Sequence, residues 1–142
     1  MSTAPINQSP ESFVGALGFA TMTVRPGDTA AAHGIGDLTV VNNAELISLM
    51  ESAAIAAINE FFETGISTIA TNMNLNFATS AAIGAELQAS AHCIAQNGTE
   101  IDFEIEIYEG ERLVAQSTQR RQIVDRVTFL ARTVAQSLFE AK

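Results

Sequence analysis

The chain has 142 residues, 47% of them hydrophobic and 16% charged, enough apolar content to bury a core in one domain. Sixteen acids against seven bases give a formal net charge of −9. A surface this acidic argues against nonspecific nucleic-acid binding and against anionic membranes, both of which need basic groups.

Residues 1–12 carry two prolines and neither a basic nor an apolar run, so they read as a disordered tail and not as a leader. Residues 13–142 read as a single domain, and a cytoplasmic protein is expected. Phe19 to Arg25 alternates and stops at Pro26-Gly27-Asp28, the pattern of a strand ended by a turn. Residues 26–42 form a long loop holding Gly34, Gly36 and Asp37; such loops in small domains are often functional. A long helix begins at Asn42 or Asn43, either of which can cap it, with Glu45 in the first turn where the helix dipole favours an acid. It runs to about Glu63 and ends at Thr64-Gly65.

Four strands follow. Ser67 to Phe77 places Ile69, Met73, Leu75 and Phe77 on one face and Asn72, Asn74 and Asn76 on the other. Glu86 to Ala95 turns Leu87, Ala89, Ala91 and the lone Cys93 inward; one cysteine excludes an intrachain disulfide. Asn97-Gly98 is a strong hairpin signal. Thr99 to Tyr108 alternates Ile101, Phe103, Ile105 and Ile107 against Glu100, Asp102, Glu104 and Glu106. Glu109-Gly110-Glu111 leads into Arg112 to Val124, the last strand, and Asp125 to Lys142 reads as a helix with Val127, Leu130, Ala131, Val134 and Leu138 on one side.

Tight turns between consecutive strands make the sheet mainly antiparallel. The long helix is apolar around much of its circumference and needs covering on more than one side. The predicted fold class is therefore α+β: a mainly antiparallel five-stranded sheet wrapped around a long central helix, with a short C-terminal helix. This is the hotdog arrangement.

Within the long helix, Glu51 falls in a stripe with Ile47, Ile55 (or Ala54), Ile58 and Phe62, whereas Glu45, Ser48, Ser52, Asn59 and Glu63 take the other face. A carboxylate among Ile and Met loses solvation, which raises its pKa and its basicity. The alternative is a Glu paired with an Arg in a structural network.

Arg25-Pro-Gly-Asp-Thr-Ala30, Gly36-Asp-Leu-Thr-Val-Val-Asn-Asn-Ala-Glu-Leu-Ile-Ser-Leu-Met-Glu-Ser-Ala-Ala54 and Asn74-Leu-Asn-Phe-Ala-Thr-Ser-Ala-Ala-Ile-Gly84 resemble hotdog acyl-CoA thioesterases of the fluoroacetyl-CoA thioesterase type. Leu49-Met-Glu-Ser-Ala-Ala54 is the most specific segment, and Val124-Asp-Arg-Val-Thr-Phe-Leu-Ala-Arg132 also fits. In that family a Thr at the helix start, a Glu two turns later and a His on the following strand hydrolyse a thioester. The resemblance implies Glu51 as the carboxylate, with Asn43 at the Thr position and Phe77 at the His position. Asn43 can still donate and accept hydrogen bonds; Phe77 can do no acid–base work. The resemblance also implies a homodimer, or a dimer of dimers, with a site built from both subunits and Ser67 to Phe77 as the seam.

The expected function is hydrolysis of a small or medium acyl-CoA thioester. Glu51 acts as general base or nucleophile, and backbone N–H groups near Asn43 and Ala44 supply the oxyanion hole. Asn43 lies eight residues before Glu51, about 12 Å along the axis, so the two face a ligand from different sides; an ordinary N-cap is its other reading. Phe77, Asn74 and Asn76 line the substrate side, although the Asn row also suits a solvated face. His33 or Asp37 reaches the site if the long loop folds over it, and is otherwise solvated. His33 and His92 lack metal-ligand spacing, and no cofactor is expected. Arg120 and Arg121 point to opposite faces of one strand; one meets a CoA phosphate, or both pair with Glu104 or Glu106. The competing function is a non-catalytic hotdog protein that binds an acyl-CoA or another small ligand.

Overall fold

The most regular alternation in the sequence becomes the middle of the sheet. The computed structural model describes residues 13–140, so the tail predicted for residues 1–12 lies outside the described residues. Its strands are β1 (Leu17–Thr23), β2 (Ile66–Phe77), β3 (Glu86–Asn97), β4 (Glu100–Glu109) and β5 (Arg112–Asp125), with helices α1 (Asn43–Ile58) and α2 (Arg126–Glu140). The sheet order is β1-β3-β4-β5-β2, and every pairing is antiparallel. Strand β4 sits at the centre with Ile101, Phe103, Ile105 and Ile107 fully buried. Gly98, at φ +64°, makes the tight β3–β4 reversal possible.

Helix α1 lies against β1, β3 and β4. Its buried positions are Leu46, Leu49, Met50, Ala53, Ala54, Ala57 and Ile58. Small residues let helix and sheet approach at backbone distance. A Cβ on Gly18 of β1 would lie 2.2 Å from the Ala53 oxygen and 2.3 Å from the Ala57 nitrogen, so no larger residue fits without displacing the helix.

Three expectations change. The α-helix ends at Ile58 and tightens into a 3-10 turn, Asn59–Phe61, rather than running to Glu63. Phe61 and Phe62 there pack edge-on against Phe13, with ring centroids 5.5 and 5.4 Å away, which bends the chain off the helix axis. The inward stripe is Leu46–Leu49–Met50–Ala53, not Ile47–Glu51–Ile55; Ile55 is exposed and Glu51 half-buried. In β2 a register shift between Ala70 and Asn72 puts Ile69 out of phase with Met73, Leu75 and Phe77. Helix α2 forms as predicted, but Val127, Leu130, Val134 and Leu138 are all exposed. No described helix is long and apolar enough to cross a membrane.

Candidate functional site

Glu51 leaves the third turn of α1 on the flank that faces β5. Its Oε1 accepts a hydrogen bond from Arg121 Nη1 at 2.9 Å. Arg121 is 3% exposed and the Glu51 side chain 36%. The apolar, desolvated setting expected for this carboxylate is replaced by a buried cation with one side open. Among the described residues, the second Glu51 oxygen accepts no hydrogen bond.

Alternation along β5 explains how an arginine comes to be inside. Ala115, Ser117, Gln119 and Arg121 occupy the buried face, and Thr118 and Arg120 the exposed one. Thr68 holds the guanidinium from β2, accepting from Nε on Oγ1 at 2.8 Å and from Nη2 on its carbonyl at 3.2 Å. Gln119 Oε1 accepts from the same Nη1 that meets Glu51, at 2.8 Å. A planar guanidinium thus ties α1, β2 and β5 together through a fixed fork of donors.

Arg120 binds Asp102 at 2.8 Å and approaches Glu100 at 3.6 Å. The predicted partners Glu104 and Glu106 stand opposite Thr118 and Gln116, so the register selects Asp102 instead. The pair holds Arg120 above its ordinary value, through the hydrogen bond to Asp102 first and the nearby charges second.

The other candidates do not gather around Glu51 within one chain. Asn43 opens α1 and is exposed. Its neighbour Asn42 is the N-cap, accepting on Oδ1 from Ala44 N at 3.4 Å, so that amide already has a partner. Asn74 and Asn76 lie on the outer face of the sheet, opposite Thr118 and Gln116. With Glu104 and Glu106 they line a shallow depression of about 370 Å³. His33 closes a 3-10 turn, Ala31–His33, and Asp37 follows it; both are exposed on a loop pinned by Ala30 N to Val40 O at 2.9 Å. Phe77 ends β2 and packs partly against the core. It lies nine residues beyond Thr68, roughly 30 Å along the strand. Cys93 is buried in β3, and desolvation pushes its thiol up to about 11. Groups of three or more metal-ligating side chains are absent among the described residues.

Sequence reading missed Arg121 as the partner of Glu51, and Gln119 and Thr68 with it. The available signal was three polar residues, Ser117, Gln119 and Arg121, at alternate positions of a strand whose core-facing side should have been apolar.

A fully antiparallel sheet carrying one long helix on its inner face, followed by a C-terminal helix, defines the protein as a hotdog domain. Residues 24–127 match the family model described as fluoroacetyl-CoA-specific thioesterase. The chain belongs to that family. A solved fluoroacetyl-CoA thioesterase variant in complex with fluoroacetate is similar at a TM-score of 0.80 and 17% identity, over 87% of this chain and 97% of that one. A Thermus thermophilus thioesterase superfamily member is similar at 0.80 and 20% identity, over 91% and 96%. A hot-dog-like protein from Thermanaerovibrio acidaminovorans gives 0.80 and 14%, over 89% and 95%. At these identities the structural likeness shows the fold. No curated protein matches the chain.

Proposed function

We propose that this protein hydrolyses an acyl-CoA thioester, with Glu51 as the general base. The observation that carries the reading is the state of its carboxylate: Oε1 is fixed by Arg121, the other oxygen accepts no hydrogen bond among the described residues, and the side chain is 36% exposed. Arg121 orients the group, and the free oxygen takes the proton of a water that attacks the thioester carbonyl; the C–S bond then breaks, and the departing CoA thiolate takes that proton, leaving the carboxylic acid and free CoA. Family membership, and the related structures solved with acetyl-CoA or with fluoroacetate and CoA, support the substrate class. Asn43 is the proposed second catalytic residue, orienting substrate or water; the proposed substrate contacts are Ala44 and Phe77, with His33 and Asp37 from the loop and Asn74 and Asn76 from the far face.

A homodimer fits this reading. Strand β2 is the last strand of the sheet, and antiparallel pairing of two such edges would carry Phe77 of a second copy toward Glu51 across the distance that separates them in one chain. The second reading, a binding protein without turnover, is favoured by Phe77, which has no proton to exchange at the position where the family carries His.

Purified protein and Glu51→Gln assayed against a panel of acyl-CoAs decide between them. General-base action predicts a loss of turnover of about 10²- to 10⁴-fold in the variant. Turnover that is unchanged in Glu51→Gln removes Glu51 from the chemistry, and saturable binding with no turnover by the parent protein supports the second reading.

A further inference from the structure

Two polar side chains on the inner face of the sheet each carry a polar atom without a hydrogen-bond partner among the described residues. Ser117 is 7% exposed and Gln119 2%. Among the described residues, Ser117 Oγ and Gln119 Nε2 have no hydrogen-bond partner. The amide orientation is settled by chemistry: Arg121 only donates, so the Gln119 oxygen must face it and the NH₂ must point away. A buried donor left without an acceptor is costly, and two such donors on one strand face repeat that cost at one place.

The sheet itself offers them no partner. Gln119 is flanked by Met73 on β2 and Phe103 on β4, and Ser117 by Leu75 and Ile105. The acceptor must therefore come from outside the sheet. The open direction is the β2 side, where Met73 is half-buried and Leu75 is 36% exposed. Both are unbranched at Cβ and can swing aside at a sheet edge.

The same row adjoins the proposed reaction centre. One Arg121 nitrogen bonds both Glu51 and Gln119, so those two side chains lie within about 6 Å of each other. Ser117 is two residues further along the strand, roughly 7 Å away. A thioester whose carbonyl faces Glu51 would run its acyl group past Gln119 and toward Ser117, with the apolar Met73 and Leu75 alongside.

Resting on the thioester reading of this site, we propose that Gln119 and Ser117 select short acyl groups bearing an oxygen on the chain, a hydroxyl or a ketone near the third carbon, over plain alkyl chains. Arg121 is already balanced by Glu51, so the fit is to a neutral oxygen and not to a second carboxylate. Gln119 Nε2 donates to that oxygen, and Ser117 Oγ donates to or accepts from it.

Equilibrium binding of butyryl-CoA and 3-hydroxybutyryl-CoA to the full chain, with hydrolysis recorded in parallel, tests this. The parent protein should bind the hydroxylated compound at least about tenfold more tightly. Ser117→Ala and Gln119→Met should each shrink that ratio several-fold, and Gln119→Met, which also takes an acceptor from Arg121, should weaken both ligands besides. Ser117→Ala leaves the Arg121 contacts intact, so it reads selectivity without disturbing Glu51. Equal affinity of the parent protein for the two ligands, equal loss for both in Ser117→Ala, or no binding of either overturns the proposal. A retained preference without any hydrolysis leaves the proposal standing and removes the hydrolase reading instead.

Discussion

Replacing Glu51 by Gln and Arg121 by Met, singly and together, measures the coupling between helix and sheet at the site. Four of the five guanidinium N–H groups are engaged: with Thr68 Oγ1, the Thr68 carbonyl, Glu51 and Gln119. Glu51→Gln keeps an oxygen acceptor but removes the counter-charge. Breaking one side of a fully buried pair costs about 3–5 kcal/mol, and an exposed pair contributes about 0–1. With Arg121 at 3% exposure and Glu51 at 36%, a loss of about 1–2 kcal/mol follows for Glu51→Gln. Arg121→Met also leaves the Thr68 carbonyl and Gln119 Oε1 short of a donor, for about 2–4 kcal/mol. The double variant should be less damaged than the sum, by about 1–2 kcal/mol. Urea unfolding followed by circular dichroism gives all four corners of the cycle. Additivity within about 0.3 kcal/mol would refute the idea that this ion pair joins α1 to β5.

Gly18→Ala forces a Cβ into the backbone of α1 and should destabilise by about 3 kcal/mol or more, visible as a large drop in thermal midpoint; a neutral result would mean that the helix shifts freely. Asn42→Ala should cost about 1 kcal/mol as a lost cap, whereas Asn43→Ala, exposed and outside the cap, should change stability by less than about 0.5. Chemical denaturation separates the two, and a larger effect at Asn43 contradicts the assignment. Folded Cys93 should resist iodoacetamide at pH 8 and label quickly in urea. Burial raises the thiol from 9.0 to about 11, so the folded state holds the proton more tightly than the unfolded one. This stabilising contribution is complete below pH 9 and fades as pH rises from about 9 to about 11, which unfolding curves across that range will record against Cys93→Ala.

Strand β4 was legible because its Ile and Phe residues alternate with acids through its length, and a period of two has no other reading. Helix α1 was legible in position but not in rotation. Leu46, Leu49, Met50 and Ala53 offer one apolar stripe and Ile47, Ile55 and Ile58 another, so periodicity alone leaves the phase open; only packing against β1, β3 and β4 decides it. Ile69 shows the same limit in a strand: an irregularity between Ala70 and Asn72 reverses the alternation there, and nothing in the residue types announces it. The site was half visible. Glu51 stood out as an acid in apolar company, but its partner is 70 residues away in the chain, and only the β4–β5 and β2–β5 registers bring Thr68, Gln119 and Arg121 beneath it. The same registers assign Arg120 to Asp102.

The place of β2 at the end of the sheet has a consequence for solvent exchange. Along Ile66–Phe77, alternate amides turn toward β5 and the others turn away from it. In a lone chain, deuterium should therefore enter this strand slow and fast by turns, with the alternation changing phase at the Ala70–Asn72 irregularity, while β4, paired on both sides, exchanges slowly throughout. Once a second edge docks there, the fast set should fall silent, and the exchange pattern of one strand becomes a direct record of assembly.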